Sequence, residues 1–452
     1  MRKLIYFTSV LFSIGLVIQS CSSDDDVTYP DNTISFSSAE LGIDESESSK
    51  TFTINISRAI NTASTIDLAV TSTGLVYGTD YTTSPAISDG KISISIPAGQ
   101  TSASIIVNKV SKFFNGDESI EFNVSSASSD LVINAGTKVS LTFGAIISEG
   151  GKLTLNGGEG TSSAVNSVFV DLSGNEQQSI ARTSWSLAFY CGDDFAVKLN
   201  NTTASAAKQT DIALTDIISS TDSATYDGEL LIGRGKGNFD IIDDIKGDLS
   251  KSVIKENNVY LVRLGETAAN ESTLYKIKVT KTANGYSLQY AASGSSKVTT
   301  VEIAKNNNYN FIYYSFGSAS TVNIEPLKSK WDFRWSYQTY TAGTMPYNFS
   351  DFIVINYLAG VTAAEVSEEN TLYSTFSSKD LASIKFSSDV NTIGGNWRIT
   401  AGDEGSKGIK KGVFYLVKDM AGNVYKIQFT KMGLNNDGGT RGYPEFEYEL
   451  VK

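Results

Sequence analysis

The sequence predicts an all-β protein: an immunoglobulin-like β-sandwich followed by two tandem β-rich domains. Three observations carry this. Apolar and polar residues alternate with period two in segment after segment, the mark of half-buried strands whose successive side chains point to opposite faces. Proline is scarce at 6 residues while Gly (38), Tyr (22) and Phe (22) are plentiful, and Gly/Asn/Asp turns separate the alternating runs. Five ordered blocks in the second two thirds of the chain recur at an offset of about 150 residues, too long a period for a solenoid and right for a duplicated domain. At 452 residues the chain exceeds what one ordinary core supports.

The amino-terminal segment 1–20 opens with Arg2 and Lys3, continues as an apolar run over 4–18, and places Ser20 before Cys21. It resembles a bacterial lipoprotein signal peptide. The resemblance implies cleavage before Cys21 and acylation of that residue, and two or more chains give lasting attachment where one is marginal. Ser22, Ser23, Asp24, Asp25 and Asp26 resemble the acidic surface-export tag of lipoproteins from Bacteroidetes-type bacteria. That implies a lipid-anchored protein of the outer membrane, facing the extracellular side; the alternative is a plain solvated spacer. Residues 21–33 are read as tag and linker.

From 34 to 145 the alternation is clean. Phe52, Ile54 and Ile56 are followed by Ile66, Leu68 and Val70, by Ile92, Ile94 and Ile96, and by Ile120, Phe122 and Val124. Several short strands between turns suggest the sandwich. YGTDY (77–81), ISIPAGQTSASIIV (94–107) and GDESIEF (116–122) resemble a Calx-beta domain. In that family acidic residues hold calcium, and Glu45, Glu47, Asp80, Asp117 and Glu118 partly fill those roles. The acidic pair expected before the last strands is replaced by Val110 and Ser111. Calcium needs about six to eight oxygens, so it is not an expected cofactor, and a spacer role is the alternative.

The duplication spans 146–303 and 304–452. Trp185 in WSLAF recurs as Trp331 in WDFRW, and Asp194-Phe195-Ala196-Val197 with Asn200 recurs as Asp351-Phe352-Ile353-Val354 with Asn356. NVYLVRLG (258–265) matches VFYLVKD (413–419), LYKIKVTK (274–281) matches VYKIQFTK (424–431), and NGYSLQY (284–290) matches RGYPEFEYEL (441–450). Together with GGNW (394–397), these blocks resemble the HmuY family, the second copy more closely. The resemblance implies β-rich surface lipoproteins that bind haem and work beside an outer-membrane receptor.

The chemistry available is narrow. There is no histidine, which excludes a Ser-His-Asp triad, a Cys-His pair and His ligation of zinc or haem. Once Cys21 is consumed, Cys191 stands alone in a strand-like run and reads as a small buried hydrophobe. The net charge is −12 and becomes more negative when Arg2 and Lys3 are removed, so nucleic acid is not an expected partner. The resemblance places the family's iron ligands in a finger hairpin and the loop after the next strand, here 366–393 and 401–411. Neither segment contains His, Met or Cys. Tyr373 is the strong donor remaining there, and Tyr226 its counterpart in the first copy. Met345, Met420 and Met432 fall elsewhere, and Trp185, Trp331, Trp335 and Trp397 read as core. Haem held by stacking between aromatic walls is the form that needs no ligand. No enzyme is expected: Asp193-Asp194 and Asp243-Asp244 are adjacent carboxylates that would face opposite ways on a strand, and GRGKGNFD (233–240) lacks the phosphate-loop ending. Asp222-Ser223-Ala224 resembles a short O-glycosylation sequon. The expected function is capture of a small ligand, by resemblance haem or a related porphyrin, for handover to an outer-membrane receptor. The alternative is a structural or adhesive surface protein binding glycan or host protein.

Overall fold

The structure is a computed structural model describing residues 30–44, 47–111, 113–134, 137–144, 146–158, 164–233, 235–266, 273–403 and 406–452. Cys21, the tag residues Ser22, Ser23, Asp24, Asp25 and Asp26, and Glu45 lie outside the described residues. The chain divides into two units, one holding 47–110 and 119–142 with the strands before them, the other holding 143–452 together with 111–118.

The first unit is a sandwich of two antiparallel sheets. One runs Ile34–Phe36, Ser49–Ile56, Ser102–Lys109, Tyr81–Ser84, and the other Glu40–Ile43, Lys138–Phe143, Ser119–Ala127, Ser64–Thr73, Lys91–Ile96. The period-two reading holds residue by residue. Lys91–Ile96 alternates exposed and buried along its whole length, with Ile92, Ile94 and Ile96 inward. Phe52, Ile54, Ile66, Leu68, Ile120 and Phe122 are sealed between the sheets. Each such side chain contributes roughly 1.5–3 kcal/mol on burial. Val70 is only half-buried, because Ser64–Thr73 becomes exposed towards its far end.

The second unit contains two lobes, each with its own core. The contiguous lobe pairs a five-stranded sheet (Ala206–Gln209, Val259–Arg263, Leu274–Thr282, Gly285–Ala292, Thr299–Ala304) with a four-stranded one (Val197–Leu199, Leu187–Tyr190, Phe311–Ser315, Ser320–Val322) around Phe189, Ile277, Tyr286, Leu288 and Tyr314. The other lobe is discontinuous. Its five-stranded sheet runs Gly150–Thr154, Glu445–Leu450, Val424–Lys431, Val413–Lys418, Thr362–Ser367, and its four-stranded sheet runs Glu176–Ala181, Asn166–Asp171, Phe333–Ala342, Met345–Ile355. Phe333, Trp335, Ile353, Trp397, Tyr415 and Phe446 fill this second core.

The sheets therefore cut across the duplication. Gly150–Thr154 opens the first copy but pairs with Glu445–Leu450, which closes the second. Phe311–Ser315 lies in the second copy but pairs with Leu187–Tyr190 in the first. The boundary expected at 303/304 marks a repeat in the sequence, whereas in space each lobe borrows its opening strands from the other copy. Among the described residues one α-helix, Ser220–Glu229, interrupts the β pattern; the Ser219 hydroxyl caps it by accepting the Asp222 N–H.

Candidate functional site

The borrowed strands bring the two copies face to face. Trp185, Ala188, Phe311, Tyr313, Ile324, Phe169 and Trp331 form one apolar cluster between the lobes. Its geometry is nearly two-fold. Trp185 meets Tyr313 edge-on at 4.9 Å, and Trp331 meets Phe169 edge-on at 5.1 Å. Asn200 donates through Nδ2 to the carbonyls of Arg182 and Trp185, and Asn356 does the same to Lys328 and Trp331. The asparagines that recur in sequence thus fix the loop carrying each tryptophan.

The symmetry breaks in charge. Ala188 sits opposite Lys198 in one lobe, and the matching cross-strand pair in the other is Arg334 opposite Val354. Each copy supplies one cation where the other copy supplies an apolar residue. Both cations line a cavity of ≈ 60 Å³ together with Asn201, Phe311, Tyr313 and Trp331. The Lys198 ammonium lies 5.9 Å from the centre of the Phe311 ring and makes no ion pair with a described carboxylate. Arg334 donates through Nη2 to Gln338 Oε1 at 2.7 Å, while its Nε has no acceptor. The Trp331 indole N–H and Asn201 Oδ1 also lack partners. Burial pulls both cations below their ordinary pKa, and for Lys198 the Arg334 charge adds to the effect while Asp243 opposes it.

The nearby acids are already engaged. Asp243 accepts the N–H groups of Leu199 and Val253, and burial raises its pKa. Asp244 accepts the N–H groups of Lys246 and Asp248. Glu325, 4% exposed, accepts the N–H groups of Asn310 and Phe311 and the Tyr313 hydroxyl. Burial outweighs those bonds and pushes its pKa up to about 7. Tyr313, next to this carboxyl, stays protonated because burial raises its pKa well above the ordinary value.

The residues singled out from sequence are scattered. Tyr373 lies in the short helix Tyr373–Thr375, half-buried, with its ring edge-on to Phe414 at 5.7 Å and the Lys426 ammonium 5.0 Å from its centre. Burial, with Glu447 and Glu449 adding, raises its phenol pKa far above the usual range, which opposes the phenolate that iron requires. Tyr226 sits in Ser220–Glu229 against the small cluster of Leu230, Ile232 and Leu261. Ser223 shares that helix and hydrogen-bonds Ser293. Met432 is fully buried, whereas Met345 and Met420 are exposed. Cys191 is buried, with its thiol pKa raised by burial. All four tryptophans are buried as read, but Trp331 also faces the cavity.

Both aspartate pairs occupy loops rather than the strands expected for them, and 235–238 lies in a loop before the turn Phe239–Ile241. In the first unit the Asp80 carboxylate accepts the Val76 N–H and Glu47 pairs with Lys50. In the second unit Glu118 accepts the N–H groups of Asn115 and Gly116, and Asp117 is exposed. Among the described residues no group of three or more His, Cys, Asp or Glu is placed to hold a metal ion.

A family model described as HmuY protein matches residues 163–448, a span that takes in strands of both lobes. The chain belongs to the HmuY family. The blocks that carried the HmuY resemblance act as internal scaffolding: the Trp397 indole donates to the Asp351 carbonyl, and Arg441 clasps the Asp351 carboxylate. HmuY proteins are surface-associated and linked to haem. No curated protein matches this HmuY chain. Among solved structures, the apo-form Calx CBD1 domain is 13% identical at TM-score 0.22, the match covering 25% of this chain and 95% of that one. CBD12 from CALX1.2 is 12% identical at TM-score 0.23, covering 36% and 65%. A structural-genomics protein of unknown function from Bacteroides ovatus is 6% identical at TM-score 0.17, covering 93% of each chain. Among the described residues no helix is long and apolar enough to cross a membrane.

Sequence reasoning missed Lys198 and Arg334. Part of the signal was present within the repeated blocks: WSLAF has Ala188 where WDFRW has Arg334, and, counted back from Asn200 and Asn356 rather than forward from Asp194 and Asp351, Lys198 stands where the other copy has Val354. A cation entering one copy of an otherwise apolar repeat asks for a partner.

Proposed function

We propose that this chain is a lipid-anchored protein of the cell surface that captures a small ligand, haem or a related porphyrin, and passes it to an outer-membrane receptor. The observation that carries the reading is the HmuY match across both lobes. The donor set does not fit axial ligation of iron: 366–393 and 401–411 contain no His, Met or Cys, and Tyr373 is held as a neutral phenol. The cavity of ≈ 60 Å³ between the lobes is too small for a macrocycle, since ligand pockets of that class run to roughly 300–1,000 Å³. Retention therefore rests on contact with an open face. The depression of ≈ 360 Å³ lined by Phe239, Ile242, Ile245, Asp243, Asp244, Lys246 and Lys251 offers a 40%-exposed aromatic ring for stacking, with Lys246 as the cation for an acidic side arm, since Lys251 is paired with Asp248.

Titration of hemin and of iron-free protoporphyrin IX into the soluble chain from Ser22 onward tests this. Equal saturable binding of both, weakened by Phe239→Ala and untouched by Tyr373→Phe, is the expected result. Absence of any saturable response overturns capture of a porphyrin and leaves an adhesive role. A hemin-only band lost in Tyr373→Phe overturns retention without an iron bond. Anchoring is tested separately: Cys21→Ser should move the protein out of the membrane fraction.

A further inference from the structure

We propose that the cavity between the lobes is a binding site for a small aliphatic carboxylate, its head on Lys198 and Arg334 and its tail against Phe311, Tyr313 and Trp331. The inference is independent of porphyrin capture and concerns a different place in the fold.

The argument is an inventory of donors and acceptors. Arg334 spends one bond on Gln338 and leaves Nε open, the Trp331 N–H, in a side chain only 8% exposed, is also open, and the half-buried Lys198 makes no ion pair with a described carboxylate. The carboxylates that could have satisfied them are taken by backbone N–H groups and by Tyr313. A buried donor without an acceptor is costly, and a buried cation more so. Asp244 and Glu325 also line the cavity but are engaged by backbone N–H groups and by Tyr313, so an incoming carboxylate would supply the acceptor that the open donors lack. The walls add a second demand. Three aromatic rings face the same space, and a fully hydrated inorganic anion would leave them unmatched. A carboxylate with a short apolar tail meets both demands. Size sets its length: a cavity of ≈ 60 Å³ admits only a short chain. The charge asymmetry between the copies supports the same conclusion. Ala188 and Val354 show that the fold packs well with apolar residues at these positions, so the two cations are not needed to build the interface.

Butyrate, butyramide and inorganic phosphate are titrated into the soluble chain from Ser22 onward by calorimetry, with the tryptophan indole N–H resonances followed by NMR. The Trp331 resonance is assigned through Trp331→Phe. Butyrate is expected to bind saturably and to move that resonance, with butyramide at least about tenfold weaker because the charge-assisted bonds are lost. Lys198→Met is expected to weaken butyrate about tenfold without lowering the melting temperature. Equal affinity for butyrate and butyramide, binding of phosphate alone, no saturable heat with butyrate, or an unaltered affinity in Lys198→Met each overturns the assignment. The comparison of butyrate with butyramide uses the native chain, so it decides the matter even if a variant fails to fold. Porphyrin binding can fail while butyrate binding succeeds, and the reverse.

Discussion

Replacing Glu325 with glutamine should flatten the pH dependence of stability in the second unit. Glu325 is 4% exposed, and its carboxyl takes N–H groups from Asn310 at 2.6 Å and Phe311 at 2.8 Å and the Tyr313 hydroxyl at 3.2 Å. Those bonds and the Arg334 charge favour the carboxylate, but burial dominates and moves the pKa from 4.5 to about 7. The folded state therefore keeps its proton to higher pH than the unfolded state does. Between pH 4.5 and about 7 the folded chain binds more protons, so stability falls as pH rises through that window and the loss is complete above it. The difference between the two pKa values corresponds to about 3 kcal/mol. Glutamine keeps an oxygen for the two N–H groups, and its amide can donate to a rotated Tyr313 hydroxyl without ever ionising.

The assay is urea unfolding followed by tryptophan fluorescence, which reports this unit because Trp185, Trp331, Trp335 and Trp397 all belong to it. Near pH 4.5 the two proteins should be almost equally stable; near pH 8 the glutamine variant should be more stable by up to about 3 kcal/mol. A stability difference that stays constant between the two pH values would refute the assignment of a proton to buried Glu325.

Other outcomes follow from the same geometry. Asn356→Ala removes two bonds to backbone carbonyls and the acceptor for Asn310, and should cost about 2–4 kcal/mol in thermal melts; Asn200→Ala should cost a similar amount, and a loss below half a kilocalorie in both would sink the shared role. Gly157→Ala puts a Cβ onto the Gly442 carbonyl oxygen and the ring of Trp335, which is 1% exposed and cannot yield, so a loss of about 1–3 kcal/mol is expected by urea unfolding. A chain cut to 183–330 retains both sheets of the contiguous lobe and should unfold cooperatively, whereas 304–452 lacks the strands Gly150–Thr154 and Asn166–Asp171 and should not. Circular dichroism melts showing the reverse would refute the strand assignment.

Much of this was legible in the chain. Alternation at period two located Ile92, Ile94 and Ile96 and the facing Phe52 and Ile54, because a sandwich buries one face of each strand and leaves the other wet. The repeated blocks found the duplication and the family. Pairing across the copies was not legible: a repeat states which segments are alike, not which neighbour each adopts, and like segments offer like edges to either partner. The helix Ser220–Glu229 was missed because it buries none of its residues and so shows no apolar stripe; Ser219 and Asp222 at its start were the available signal. Lys198 and Arg334 escaped because their meaning lies in a difference between copies, which appears only when the register puts each opposite an apolar residue.

The exchange of opening strands also sets an order of events. A polypeptide emerging amino end first presents Gly150–Thr154 long before Glu445–Leu450 is available to receive it. The contiguous lobe can complete itself in the meantime, since Thr299–Ala304 follows its partner by only a few residues. Until the last segment arrives, the waiting strand is an open template for pairing with another chain. Delivery of this protein to its destination thus has a vulnerable interval, ended by the arrival of its final strand.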